Sequence, residues 1–183
     1  MGTSGAVFAA LMILYGFGET AHRAQRGEKG SGWMRDWTLW AMAGPWLATL
    51  AGSPVEYLWA RREPPLAWVI GGAGLVAVGI GIRWKARRDL GDSFRAVVQV
   101  PEGAELVRRG LYATIRHPLY LGHTLVMVGV PLLLGCRWAW IPATLGVAAT
   151  LVRSVVEERY LAEKWEGYRE YRGRTWRFLP YVW

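Results

Sequence analysis

Two short clusters of polar residues in the second half of the chain have the residue types and the spacing to do chemistry. The first is Arg116-His117-Pro118, where the proline favours the first turn of a helix. A helix N-terminus offers unpaired N–H groups and partial positive charge, which favour an anionic group such as a ligand carboxylate. His117 and Tyr120 share one helix face, and Gly122 permits a close approach to the backbone. A plain helix start with interfacial polar side chains is an equal alternative.

The second cluster is the pair Glu157-Glu158, which follows an apolar stretch. A carboxylate beside a dry pocket can pair with a cationic ligand or accept hydrogen bonds from ribose hydroxyls. Arg153 lies four residues before Glu157, so this glutamate could instead belong to an ordinary ion pair on a helix. Because that pair leaves Glu158 on a different face, a binding role and a structural role both stay open for the glutamates.

Five apolar stretches must position these clusters. They cover about residues 5–18, 37–51 (or on to 59), 65–82, 119–134 and 138–152. A membrane span needs roughly 20 apolar residues; the third stretch fits, and the last two fit if their ends reach the interface. Tryptophans and tyrosines near the ends of the stretches are typical of aromatic belts at the headgroup level. We therefore predict an all-α integral membrane protein with about five transmembrane helices. A soluble helical protein with a tryptophan-rich core is the alternative.

The composition of the 183-residue chain fits this class and excludes two others. Hydrophobic residues make up 52% of the chain, far more than in a disordered protein. One cysteine, Cys136, excludes a disulfide scaffold. The histidines His22, His117 and His123 are scattered, so the sequence predicts no metal site.

The basic residues predict an orientation in the membrane. With five spans, the connections at 19–36 and 83–118 and the tail from 153 share one side, and they carry 19 of the 22 Lys and Arg residues. Because positive charge accumulates on the cytoplasmic side, we expect these segments in the cytoplasm and the N-terminus outside. The net charge of +8 then reflects topology, and without a nucleic-acid motif we expect no nucleic-acid partner.

Small residues at every fourth position predict where helices pack closely, because small side chains let two backbones approach each other in lipid. The pattern occurs as Ala73, Ala77 and Gly81 in the third stretch and as Gly146, Thr150 and Ser154 in the fifth.

Together, the two polar clusters resemble a known superfamily. The motif residues follow in the order Arg116-His117-Pro118, Tyr120, Gly122, two apolar stretches, Glu157-Glu158, Leu161, Tyr168, Tyr171 and Leu179-Pro180. This order is similar to that of the isoprenylcysteine carboxyl methyltransferase and phospholipid methyltransferase superfamily of integral-membrane enzymes. Upstream residues fit the same pattern, namely Leu90-Gly91, Phe94, Leu106-Val107, Gly110 and Tyr112, so the resemblance covers about residues 79–181.

The resemblance implies S-adenosylmethionine as the cofactor and a pocket formed by the fourth and fifth spans with the cytoplasmic helical segments. The residues that it implies for cofactor binding are Tyr112, His117, Pro118, Tyr120, Gly122, Glu157 and Glu158. We expect Arg116, Glu158 and Arg174 to be catalytic. We expect the chain to be a single membrane domain over 1–183. Residues 1–82 would form three spans, and residues 83–183 would form a cytoplasmic segment, two further spans and the C-terminal tail that carries the motifs.

The acceptor of the methyl group depends on whether a base is needed. A carboxylate of isoprenylcysteine type needs no base, and Arg116 or Arg174 could orient it. The ammonium of a phospholipid headgroup must first lose a proton, and Glu158 is then the candidate base. We expect a lipid-like or prenylated acceptor, with the carboxylate first and the phospholipid second; a thiol acceptor is a further alternative. An NADPH-dependent membrane reductase and a non-catalytic membrane protein are alternatives of another class.

Two departures from the superfamily pattern bear on the acceptor. The superfamily usually shows F-G-x-x-Y after the glutamates, whereas this chain has the shorter Trp165-Glu166-Gly167-Tyr168. It also has Thr175-Trp176 where V-P is common. Both changes fall in the tail, which contributes to the substrate side in this interpretation, so they leave the class of acceptor open.

Overall fold

The computed structural model describes residues 2–21, 37–91 and 106–181. These residues form six α-helices: α1 Thr3–Ala21, α2 Trp37–Ala60, α3 Leu66–Leu90, α4 Pro118–Leu134, α5 Trp140–Lys164 and α6 Tyr168–Arg174. A 3-10 helix, Gly110–Ala113, lies between α3 and α4. The described ranges contain no strand, and a single parallel bridge joins Ile115 to Trp176. The predicted all-α class is therefore confirmed.

The long helices alternate in direction, as contacts at one end of the bundle show. Ser4 at the start of α1 donates a hydrogen bond of 2.9 Å to Glu63, which lies between α2 and α3. Glu56, near the end of α2, accepts hydrogen bonds from the backbone N–H groups of Trp138 and Ala139, which directly precede α5. The carboxylate of Glu56 thereby satisfies donors that the α5 N-terminus would otherwise leave unpaired.

The opposite end of the bundle is called the site end here; it holds the first turns of α2 and α4 and the C-terminal halves of α3 and α5. There Arg83 of α3 reaches the carbonyl of Leu119 in α4 at 3.5 Å. Thr38 of α2 lies 2.6 Å from a guanidinium nitrogen of Arg153 in α5. The residues that the sequence singles out on α4 and α5 therefore meet at the same end.

Glycines let α3 and α4 pack with their backbones in close contact. A Cβ atom on Gly122 would lie 2.6 Å from the carbonyl oxygen of Gly79, and one on Gly79 would lie 2.7 Å from that of Gly122. Two turns further along, a Cβ on Gly129 would lie 2.9 Å from the carbonyl oxygen of Gly72. Real side chains do not tolerate such distances, so α3 and α4 fit together because both carry glycine at these two crossings.

The predicted packing row on α3 was wrong, whereas the row on α5 is confirmed. Ala73 is half-buried, and Ala77 and Gly81 are exposed. The contact runs instead through the neighbouring glycine face, because glycine permits a closer approach than alanine. On α5, Gly146, Thr150 and Ser154 are all buried.

The core of the bundle lies between α3 and α4 and extends to α1 and α2. Val76, Val126, Val130 and Leu133 have no exposed surface. Val76 comes from α3 and the other three come from α4, so this pair of helices forms the rigid centre on which the start of α4 is fixed.

One helix in the described part of the chain, α3, has the length and apolar composition of a membrane span, with a mean hydropathy of 1.8 over its best window. Two further apolar helical stretches are shorter: Thr3–Gly16, which is part of α1, and Pro118–Leu134, which is α4. Large apolar side chains are nevertheless exposed on α2, α3 and α5, among them Trp59, Leu66 and Leu145. About five spans therefore remain a prediction, of which length and composition support one.

Helix α5 continues well beyond the predicted apolar stretch. The stretch ends near residue 152, whereas the helix ends at Lys164, about three turns later. Glu157 and Glu158 therefore lie on a continuous helix, and hydrogen bonds to Tyr120, Arg116 and Arg177 hold their side chains in fixed directions.

Candidate functional site

The backbone of the C-terminal tail is paired with the segment that leads into α4. The N–H of Trp176 donates to the carbonyl of Thr114 at 2.9 Å, and the N–H of Arg116 donates to the carbonyl of Trp176 at 2.8 Å. The N–H of His117 donates to the carbonyl of Arg177 at 3.1 Å. These three hydrogen bonds bring the side chain of Arg177 to the start of α4 at the site end.

Glu158 is the centre of a buried cluster of charges. Its carboxylate accepts hydrogen bonds from Arg116 Nε at 2.8 Å and from Arg177 Nη2 at 2.8 Å. His117 Nε2 lies 3.2 Å from the same carboxylate, and Glu158 is only 2% exposed. Burial by itself raises the pKa of the Glu158 carboxyl, but the hydrogen bonds from His117, Arg177 and Arg116 outweigh it and hold that pKa well below its ordinary value. Glu158 is therefore a firmly ionised anion and a weak base.

Arg116 also ties the site to the end of α6. Its Nη1 donates to the carbonyl of Arg172 at 3.0 Å and to the carbonyl of Thr175. Arg172 approaches the Glu158 carboxylate at 3.8 Å from the exposed side of the cluster. One arginine thus joins α5, the end of α6 and the tail, and so fixes the geometry around Glu158.

Glu157 faces a different set of partners. Its Oε2 accepts a hydrogen bond of 2.6 Å from the hydroxyl of Tyr120, and Arg153 Nε donates to the same hydroxyl oxygen at 2.9 Å. The ring of His117 is stacked on that of Tyr120, with centroids 5.2 Å apart and planes 9° from parallel. His117 Nδ1 is 3.9 Å from the Glu157 carboxylate, so this histidine lies between the two glutamates. The Glu157 side chain is 26% exposed and remains accessible to a ligand.

Three buried tyrosines complete the surroundings of the glutamates. Tyr171 donates a hydrogen bond of 2.7 Å to the carbonyl of Tyr112, which joins α6 to the 3-10 helix. Burial raises the pKa of Tyr171 to about 12. Burial and the negative charge of Glu157 raise the pKa of Tyr112 well above its ordinary value. Burial and the charge of Glu158 do the same for the pKa of Tyr168. All three tyrosines are therefore neutral hydrogen-bond donors at physiological pH.

The remaining residues that the sequence proposed for the site lie in other settings. Pro118 is buried in the first turn of α4, as predicted. The close approach permitted by Gly122 is made by the backbone of α3. Arg174 lies on the surface of α6, where its guanidinium pairs with Glu170 at 2.7 Å. The structure therefore brings Arg116, His117, Tyr120 and both glutamates together, but not Arg174.

Two arginines in the site were not predicted. Arg177 reaches Glu158 through the pairing of the tail, and Arg153 reaches Tyr120 from the buried face of α5. A buried arginine within an otherwise apolar helix is a signal that could have identified Arg153. Arg177 has no such signal, because its position depends on contacts between segments that are far apart in the sequence.

Several predictions concern residues outside the described ranges. They are Phe94 of the motif, His22, and the basic residues of 22–36 and 92–105.

The residues at the site fit the chemical groups of S-adenosylmethionine. The partly exposed carboxylate of Glu157 can accept hydrogen bonds from ribose hydroxyls or from an ammonium. Arg172, whose side chain is 53% exposed, can bind a carboxylate. Beside the Glu157 carboxylate the rings of His117, Tyr120 and Phe178 pack against one another, and the His117 and Phe178 rings are 5.8 Å apart. Among the described residues, no group of three or more His, Cys, Asp or Glu side chains is placed to hold a metal ion.

An open pocket of about 490 Å³ lies between α5 and α6, next to the Glu158 cluster. It is lined by Arg159, Ala162, Glu163, Arg169, Arg172 and Gly173. Arg172 belongs both to this pocket and to the surroundings of Glu158. The pocket contains none of the residues that the sequence proposed for the site.

The chain matches a known family of proteins. The family model described as "Phospholipid methyltransferase" matches residues 67–167, more than half of the chain. The matched part includes Arg116, His117, Tyr120 and both glutamates, whereas Thr38 and Arg177 lie outside it. No curated protein matches the chain.

Proposed function

The chain belongs to the phospholipid methyltransferase family, within the superfamily of integral-membrane methyltransferases, and from this membership we propose that it transfers a methyl group from S-adenosylmethionine to a lipid-like acceptor. The proposed active site surrounds Glu157, Glu158 and the start of α4. The acceptor that we favour is a carboxylate of isoprenylcysteine type.

The observation that supports a carboxylate acceptor is the pairing of Glu158. Its carboxylate is buried against Arg116, Arg177 and His117, and its pKa is lowered by them. A group in this state does not take up a proton from an ammonium acceptor. A carboxylate acceptor is already nucleophilic at neutral pH and needs no base, so the chemistry of the site and that of the acceptor agree.

The residues of the site act mainly through position and charge. The cofactor supplies an electrophilic methyl group on a sulfonium. Glu157 accepts hydrogen bonds from the cofactor, next to the stacked rings of His117 and Tyr120. Arg116 and Arg177, held by Glu158, place positive charge beside the anionic acceptor and so attract it to the site. Because charge disappears during the transfer, a dry and fixed site accelerates it.

The proposed membrane arrangement has five spans, the N-terminus outside and the site facing the cytoplasm. The alternating helices support it, since they place the motif-bearing segments at one end. The large apolar side chains exposed on α2, α3 and α5 suit contact with lipid, because water-soluble proteins rarely expose so many together. A lipid-like acceptor would then enter from the bilayer and the soluble cofactor from the cytoplasm.

N-methylation of a phospholipid headgroup is the second candidate function. It is favoured by the description of the matching family. In this case Glu157, which lies outside the arginine cluster, is better placed than Glu158 to accept a proton.

The test uses protein purified in detergent with S-adenosylmethionine that carries a tritiated methyl group. The acceptors offered are an isoprenylcysteine analogue and phosphatidylethanolamine. We expect label in the isoprenylcysteine product that alkali releases as volatile methanol, as a methyl ester requires. Alkali-stable label in phosphatidylethanolamine would support the second candidate instead. Absence of both labelled products, together with absence of cofactor binding, would refute the methyltransferase proposal.

A further inference from the structure

Arg153 is a buried cation outside the Glu158 cluster, and the proposed reaction gives it no role so far. It lies on α5 and is 2% exposed. A buried guanidinium is costly unless its donors are satisfied, so its contacts show what holds it in place. Arg153 Nε donates to the hydroxyl oxygen of Tyr120 at 2.9 Å, and Nη1 donates to Thr38 Oγ1 at 2.6 Å.

The contact from Arg153 determines how Tyr120 can use its hydroxyl. A phenolic oxygen that accepts from a guanidinium is left with its own proton to donate. That proton is directed to Glu157, where the O···O distance is 2.6 Å. Arg153 therefore orients the Tyr120 hydroxyl and, through it, the carboxylate of Glu157.

Thr38 fixes the other side of the Arg153 guanidinium. It lies in the first turn of α2, is 2% exposed, and belongs to the part of the chain that precedes the family match at 67–167. A planar guanidinium with two separate hydrogen-bond partners is held in one orientation. The series Thr38, Arg153, Tyr120 and Glu157 thus connects the N-terminal half of the protein to the candidate site.

We infer that Thr38 and Arg153 are positioning residues that hold the Tyr120 hydroxyl against Glu157 in the geometry that binds the cofactor. The inference rests on the proposed function, because it takes Glu157 and Tyr120 to face the cofactor. It assigns a part in the site to helix α2, which carries no residue of the sequence motif.

The test compares three threonine variants by calorimetric binding of S-adenosylhomocysteine to the full-length protein. Thr38→Val removes the hydroxyl and keeps the shape, whereas Thr38→Ser keeps the hydroxyl. Thr49→Val is the matched control, because Thr49 is also fully buried on α2 but donates its hydroxyl to the carbonyl of Pro45 in the same helix. A hydrogen bond to a charged group is worth enough to change affinity about tenfold. We expect Thr38→Val to weaken binding about tenfold, and the other two to stay within about threefold of the wild type.

A second measurement separates positioning from general packing. In a Tyr120→Phe background the hydroxyl that links Arg153 to Glu157 is absent, so adding Thr38→Val should weaken binding less than about twofold. The same pathway predicts that Thr38→Val raises the KM for S-adenosylmethionine and leaves the KM for the acceptor unchanged. If Thr38→Val does not fold, Arg153→Lys replaces it, since a single ammonium cannot bridge Tyr120 and Thr38 as the guanidinium does.

The outcomes distinguish the two proposals. If the wild type does not bind S-adenosylhomocysteine, the proposed function fails. If the wild type binds but Thr38→Val and Thr49→Val bind equally well, the positioning role is wrong and the function stands. A full effect of Thr38→Val in the Tyr120→Phe background also overturns the inference, because the effect would then bypass Tyr120.

Discussion

Replacing Glu158 with glutamine removes the one anion at the centre of the buried cluster. The substitution Glu158→Gln keeps the shape of the side chain and leaves Arg116 and Arg177, together with His117, facing a neutral amide. Side-chain exposures of 8% for Arg116, 11% for Arg177 and 2% for Glu158 show that little water is present to compensate. Breaking a buried ion pair by removing one partner costs about 3–5 kcal/mol, because the other charge is left uncompensated.

That cost predicts a clear loss of thermal stability. For a chain of this size, 1 kcal/mol shifts the midpoint by roughly 2–4 °C, so about 3 kcal/mol lowers it by roughly 6–12 °C. The matched control is Glu163→Gln, which changes an exposed glutamate on the same helix. A surface substitution of this kind stays within about 0.5 kcal/mol of the wild type, a shift of no more than about 2 °C.

The pH dependence gives this prediction its sharpest check. The folded-state pKa of Glu158 lies well below its ordinary value of about 4.3. The stabilisation by its ionised form is therefore complete above pH ~4.3 and is lost as the pH falls towards the folded-state pKa. Thermal unfolding in detergent, followed by circular dichroism between pH 3 and pH 7.5, should show the full difference between wild type and Glu158→Gln near neutrality and a smaller one at pH 3. A difference that is absent at pH 7, or that grows as the pH falls, would refute the argument.

Further predictions concern other parts of the site and its support. His117→Ala removes the ring between the two glutamates, so one buried hydrogen bond and one ring contact are lost. We expect this variant to bind S-adenosylhomocysteine about tenfold more weakly in calorimetry. Unchanged affinity would contradict this prediction. Gly122→Ala places a Cβ 2.6 Å from the backbone of α3 and should destabilise the protein by about 1–3 kcal/mol in thermal unfolding. The control Gly81→Ala should not destabilise it, because a Cβ at that position has no other atom within 4 Å. Equal unfolding midpoints for the two variants would overturn the packing argument. Arg177→Lys loses the two hydrogen bonds from the guanidinium to Glu158 and should lower kcat/KM at least tenfold. Arg174→Ala changes a surface residue and should keep kcat/KM within about twofold of the wild type. Equal losses in the two variants would count against the role of Arg177.

The sequence predicted the five long helices of the described residues but not the contacts between them. Apolar stretches predicted all five long helices, and α2 and α4 begin within one residue of the prediction. The stretches did not show that α5 runs on to Lys164, because polar residues continue a helix as readily as apolar ones. The packing row of α3 was assigned to Ala73 instead of Gly72, since rows of small residues lie on neighbouring faces and only a partner helix selects one of them.

The sequence predicted the two motifs of the candidate site, but it did not predict the contacts that connect them to each other and to the C-terminal tail. Arg116-His117-Pro118 and Glu157-Glu158 stand out by residue type, and the structure brings them into contact. Arg177 completes the Glu158 cluster through three backbone hydrogen bonds between the tail and residues 114–117. Arg174 had the same charge and was a reasonable candidate in the sequence, but α6 turns it outwards to Glu170. Which of two nearby arginines enters a site depends on the turn that precedes it, and no local pattern encodes that choice.

The two glutamates have different partners because they are consecutive residues on helix α5. Successive helical residues point about 100° apart, so Glu157 and Glu158 face different neighbours. Glu158 faces the tail, where Arg116 and Arg177 take up its charge, and Glu157 faces α4, where Tyr120 donates to it. His117 lies within 4 Å of both carboxylates and separates the two sets of partners. The site needs one carboxylate that is firmly paired and fixes the two arginines. It also needs a carboxylate that is accessible to a ligand. A single carboxylate cannot meet both requirements. We therefore expect neither glutamate to tolerate substitution, because Glu157 faces α4 and cannot replace Glu158 as the anion that pairs with the two arginines.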